Sequence, residues 1–150
     1  MQEIFLLEDL LEVLIELETL GNQHYTKMAN LTQNQELKIL FKKLANEEGR
    51  HKEIYRRYLT DKINLVSTIP TDEYKAYMDS LLKSSISLLK SAGDFEAFEQ
   101  GYALAILLEK ETILFLNEMK QIIAEEYYKD IDNLLSQERQ HLRYLLTYRG

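Results

Sequence analysis

The chain reads as an all-α protein: a four-helix bundle made of two antiparallel hairpins joined by one long crossover. Three observations predict this. Apolar residues recur at steps of three and four along four long stretches, which is the spacing of one helix face. One proline and five glycines in 150 residues are too few turn-formers for a sandwich or a barrel. The gaps between the stretches are unequal, two short and one spanning residues 63–93.

The first helix, near residues 3–30, rests on Leu7, Leu11, Leu14, Tyr25 and Met28. The second, near 34–62, rests on Leu37, Phe41, Leu44, Tyr55 and Tyr58, with Thr32 or Asn34 as its N-cap. A short turn between them makes an antiparallel pair. The crossover 63–93 holds the only proline, Pro70, and then a serine-rich stretch near 72–90 that reads as a short helix. At about 1.5 Å per helical residue this segment can run the length of a bundle. The third helix, near 94–123, shows Phe95, Phe98, Tyr102, Ala105, Leu116, Met119 and Ile123, with Asp94 as its cap. The fourth, near 127–148, shows Ile131, Leu134, Leu145 and Tyr148. Residues 1–150 then form one domain with the connectivity of the ferritin-like bundle.

Composition narrows the function. With 45% apolar and 29% charged residues the chain can fold around an ordinary core. The absence of cysteine excludes disulfides, thiolate metal sites, cysteine nucleophiles and cysteine-held iron–sulfur clusters. It also fits a reducing compartment. A net charge of −7 argues against nucleic acid, whose phosphates need a basic patch. The apolar run from Ala103 to Leu108 ends at Glu109, far short of the roughly eighteen residues of a membrane span. The acidic start Met1-Gln2-Glu3-Ile4 does not read as a signal peptide, so a cytoplasmic location is expected. Glu3, Glu8, Asp9 and Glu12 complement the positive end of the first helix.

Each apolar seam is interrupted at one level. The missing positions are Glu18 and Gly21, Glu48 and His51, Glu109 and Thr112, and Glu138 and His141. The middle layer of the core would therefore hold four glutamates and two histidines. Unpaired buried carboxylates are costly, and two divalent cations would neutralise four of them. Glu48 to His51 and Glu138 to His141 are both Glu-x-x-His, which puts both side chains on one helix face a turn apart. A carboxylate so placed can bridge two metals while the imidazole binds one. One such pair is commonly a solvated surface feature; six residues on four seams form a set. The set also repeats. Glu18 and Glu109 are 91 residues apart, Glu48 and Glu138 are 90, and His51 and His141 are 90.

Tyrosines form a second group. Tyr25 lies seven residues after Glu18, and Tyr102 seven before Glu109, so antiparallel helices place both on one side of the site. They would bond ligand carboxylates, carry electrons or simply fill the core. His24 fits no motif and reads as surface or packing. Glu16, Glu47 and Glu111 lie off the seams and read as solvated.

Through Glu18, Tyr25, Glu48-x-x-His51, Glu109 and Glu138-x-x-His141, the chain resembles the rubrerythrin and ferritin-like di-iron superfamily over nearly its whole length. The resemblance implies two iron ions on Glu18, Glu48, His51, Glu109, Glu138 and His141. It also implies reaction with peroxide or dioxygen. Manganese accepts the same ligands. There are two departures. Rubrerythrin has another glutamate three residues after the third-helix ligand, where this chain has Thr112. Thr112 should face the site and leave room there for a small oxidant. Without cysteine there is no rubredoxin module, so electrons must come from a separate donor protein. The chain is similar to the short stand-alone members. An oxidoreductase is the first expectation, a ferroxidase that handles iron the second, and a metal-free helical interaction module the third. A homodimer is the expected assembly.

Overall fold

A computed structural model describes residues 2–61, 65, 70–91 and 95–148. Among these are five α-helices and no strand: α1 Gln2–Leu31, α2 Gln35–Thr60, α3 Asp72–Ser91, α4 Phe98–Met119 and α5 Tyr128–Thr147. A 3₁₀ turn, Glu125–Tyr127, leads into α5. None of these helices is long and apolar enough to cross a membrane.

The α1–α2 hairpin turns within residues 32–34. Asn34 is the cap: its side-chain oxygen accepts from the N–H groups of Glu36 at 2.9 Å and Leu37 at 3.2 Å. Thr32 stands one step back and accepts from the Asn34 N–H. Asn22 then braces the two helices by donating to the Ala45 carbonyl at 2.7 Å.

α4 is shorter than its apolar period predicts at both ends. It begins at Phe98 rather than near residue 94 because Ala97 is extended, at φ −101° and ψ 140°. That bend folds Phe95 back onto the first turn of the helix. Gly101 makes the approach possible, since a Cβ there would come within 2.2 Å of the Phe95 ring. Asp94, the expected cap, lies outside the described residues. At the other end the helix stops at Met119, although the apolar pattern runs to Ile123. Ile122 and Ile123 still reach the core, but from a turn whose N–H groups bond to the Met119 carbonyl. Ala124 next donates to the carbonyl of Leu65 at 2.5 Å, tying this turn to the crossover.

The crossover helix α3 has 20 residues, the same number as α5. It lies against α1 and buries Met78 and Leu82. Tyr74 anchors it by donating to the Glu118 carboxylate at 2.7 Å, near the end of α4.

The core is divided in two. At one end, Leu7, Leu11 and Leu14 of α1 pack with Phe115 and Met119 of α4 and with Ile131 and Leu134 of α5. At the other end, Tyr25 and Met28 of α1 pack with Phe41 and Leu44 of α2, Ala105 of α4 and Leu145 of α5. The start of α1 thus meets the end of α4, so the two run antiparallel. Burying each large apolar side chain contributes about 1.5–3 kcal/mol. These two masses clamp the polar layer between them.

Candidate metal centre

α1 and α4 each deliver one glutamate to that layer, Glu18 and Glu109. α2 and α5 each deliver a Glu-x-x-His pair. All six side chains are at most 3% exposed. Their ligand atoms fall into two groups, each with all atoms within 4.8 Å of one another. One group is Glu18, Glu48, His51 and Glu138; the other is Glu48, Glu109, Glu138 and His141. Glu48 and Glu138 belong to both, one from each Glu-x-x-His pair. The two imidazoles stack, with ring centroids 6.0 Å apart and planes 19° from parallel.

Electrostatics in this layer favour protons when no cation is present. Burial, then the neighbouring carboxylates, hold the carboxyls of Glu18, Glu48 and Glu109 well above the usual 4.5. For the histidines burial acts the other way, and close contacts with neighbouring acids outweigh it. His51 is raised, with Glu138 accepting from its Nδ1 at 2.5 Å. His141 is pushed up to about 12 by Glu109 and Glu48.

Protons nevertheless leave much of the layer unsatisfied. Oε2 of Glu18, Oε1 of Glu48, Oε2 of Glu109, Oε2 of Glu138 and Nδ1 of His141 are buried with no hydrogen-bond partner. Nδ1 of His141 and Oε1 of Glu48 approach to 2.8 Å without hydrogen-bond alignment. Native interiors hold few such atoms. Carboxylate oxygens plus one imidazole nitrogen per group suit iron or manganese. Gly21 makes room for this arrangement: a Cβ there would meet Oε2 of Glu48 at 3.0 Å. The residues present therefore fit a pair of divalent cations.

A surrounding shell orients these groups. Tyr25 donates its hydroxyl to Oε1 of Glu109 at 2.7 Å, and Tyr55 donates to Oε1 of Glu18 at 3.4 Å. Behind the imidazoles, Nε2 of His51 meets Oε1 of Gln137 at 2.6 Å, and Nε2 of His141 meets Oε2 of Glu47.

The structure corrects several expectations. Glu47, expected to be solvated, is only 15% exposed at its side chain because it backs His141. Glu111 is partly buried, and burial raises its carboxyl. Glu16 is exposed as expected. Tyr102 turns its hydroxyl to the Tyr148 carbonyl at 3.2 Å and sits in a row of tilted rings with Phe98 and Tyr148. Thr112 is buried, but its hydroxyl donates to the Leu108 carbonyl one turn back, at 2.9 Å. His24 packs against the Phe95 ring.

Tyr55, Glu47 and Gln137 were missed as supporting residues, yet each left a signal. Tyr55 lies seven residues after Glu48, as Tyr25 does after Glu18. Glu47 and Gln137 immediately precede the two Glu-x-x-His glutamates, at equivalent places in the repeat.

Comparison with curated proteins and with solved structures gives no match. A family model described as Rubrerythrin matches residues 9–148, from early in α1 to the end of α5, and this span contains all six residues of the two ligand groups. The chain belongs to the rubrerythrin family.

Proposed function

We propose that the chain is a non-haem di-metal carboxylate protein that reduces peroxide or dioxygen with electrons from a separate donor protein. Iron is the proposed metal and manganese the alternative. The observation that carries this reading is the set of buried, unpartnered ligand atoms in two overlapping groups. Glu18 and His51 would hold one ion, Glu109 and His141 the other, and Glu48 and Glu138 both. When bound, the metal pair supplies two electrons to a small oxidant.

The chain's own residues set the conditions for that step. The two apolar masses exclude bulk water from the polar layer. Tyr25 and Tyr55 fix the Glu109 and Glu18 carboxylates, each through one oxygen. His51 and His141 would surrender the protons at Nδ1 as cations arrive, while Nε2 stays bound to Gln137 and Glu47.

The test is anaerobic loading with ferrous iron, followed by stopped-flow mixing with peroxide and with dioxygen. The expected result is oxidation of the bound iron faster than that of free ferrous ion by at least one of the two oxidants. Bound iron that reacts no faster than free ion contradicts the reading. A homodimer is the proposed assembly. A closed shell of many subunits by native mass spectrometry would instead favour iron storage.

A further inference from the structure

The two halves of the cluster are not equivalent. Residues 47 and 137 occupy matching places in the repeat, each directly before a Glu-x-x-His glutamate. Each backs the histidine of the opposite helix. One is an acid and the other an amide. His141 Nε2 meets a carboxylate oxygen of Glu47, whereas His51 Nε2 meets the amide oxygen of Gln137. We propose that this difference makes the half built from Glu48, Glu109, Glu138 and His141 the first-filling, retained cation site. The half built from Glu18, Glu48, His51 and Glu138 is then the weaker, exchangeable site. The inference rests on the di-metal reading above and goes beyond it.

A metal-bound imidazole is a better donor when its other nitrogen gives a hydrogen bond to an anion. A charge-assisted hydrogen bond is about twice as strong as a neutral one. Glu47 also brings an additional negative charge toward the His141 half, and only Gln137 stands at the matching place behind His51. One contact works the other way: Tyr25 donates to Glu109 at 2.7 Å, more closely than Tyr55 donates to Glu18 at 3.4 Å. That bond draws on charge Glu109 already carries and adds or removes none, whereas Glu47 adds a carboxylate, so it offsets only part of the advantage.

The surroundings bear on exchange rather than on which half holds its cation more tightly. Gln137 forms part of the wall of a cavity of about 570 Å³ that also presents Arg57, Asp61 and Asp130, net one negative charge. Glu47 lines a different cavity, of about 500 Å³, together with Lys42, Lys43 and Arg50, net two positive charges. A cation approaches a negative opening more readily than a positive one. The basic residues around Glu47 therefore offset part of the advantage it gives the His141 half, while the negative charge beside Gln137 favours exchange of a cation on that side.

The experiment is a Co²⁺ titration of the metal-free, full-length protein, followed by calorimetry and by visible absorption. Wild type should bind two ions in two resolved steps. Glu47→Gln should weaken the tighter step by about 10–100-fold and bring the two steps together. Gln137→Glu should do the converse and tighten the weaker step. His51→Ala should remove the weaker step and keep the tighter one; His141→Ala should do the reverse. Far-UV circular dichroism identifies any variant that does not fold, and the Gln137→Glu gain in affinity cannot arise from misfolding. Two equal steps in wild type, or an unchanged tighter step in Glu47→Gln, would overturn the inference while leaving the di-metal reading intact. A folded wild type that binds no Co²⁺ would overturn both.

Discussion

Gly21 illustrates how closely the site depends on single residues. Its missing side chain is the space that Oε2 of Glu48 occupies, at 3.0 Å from where a Cβ would stand. Gly21→Ala improves helix propensity by up to about 1 kcal/mol, yet it pushes on a carboxylate shared by both halves of the cluster. The expected outcome is reduced metal content in elemental analysis, with no loss of thermal stability in the metal-free protein. A related asymmetry is expected for Glu48→Gln. It should lower metal content and raise the melting temperature of the metal-free chain, because it removes a buried acid crowded by Glu109 and Glu18. Thr112→Val should leave metal loading unchanged, since the hydroxyl serves the Leu108 carbonyl. At this scale the six ligand candidates are legible because charged residues on an apolar seam break a period. Glu47 lies one residue off the seam, so periodicity does not mark it and only its matching place with Gln137 in the repeat does. A 100° turn of the helix normally puts such a residue in water, and only the imidazole of the opposite helix draws it in.

The helices depend on their ends. Asn34 satisfies two N–H groups at the start of α2, and Asn34→Ala should cost about 1 kcal/mol. Chemical denaturation should show that loss, with metal content unaffected because the cap is distant from the polar layer. The four bundle helices and their order could be read from apolar spacing, and α3 from the length and the serine-rich stretch of the crossover. Their limits could not in α4. Phe95, Ile122 and Ile123 keep the helical period in sequence but reach the core from bends, and periodicity does not distinguish a buried turn from a buried helix. The serine-rich stretch near 72–90 in the crossover is the helix α3, Asp72–Ser91. Met78 and Leu82 packed on α1, with Tyr74 bonded to Glu118, support 20 residues of helix there.

The whole molecule is arranged as two apolar masses around a layer that is poorly compensated by protons alone. Glu18, Glu48 and Glu109 are raised above the usual 4.5, His51 is raised above 6.5, and His141 lies at about 12. Every one of these shifts means that the folded, metal-free chain binds more protons than the unfolded chain. Its stability must then fall as pH rises. The carboxyl penalty begins above 4.5; the histidine contribution is complete below 6.5 and is lost as pH climbs toward 12. Thermal unfolding between about pH 5 and about pH 8 should therefore show a falling melting temperature without metal. Cations displace the same protons, so metal affinity rises over that window, and the loaded protein should hold or gain stability. A metal-free melting temperature that rises with pH would contradict this description of the layer.

The central claim is that four buried carboxylates and two buried imidazoles exist to hold two cations. Its most direct test is elemental analysis of the folded chain after stripping and anaerobic refilling with ferrous iron or manganese. About two ions per chain are expected when the sample is held at equilibrium with free metal. A chain that remains folded and takes up neither metal would contradict it.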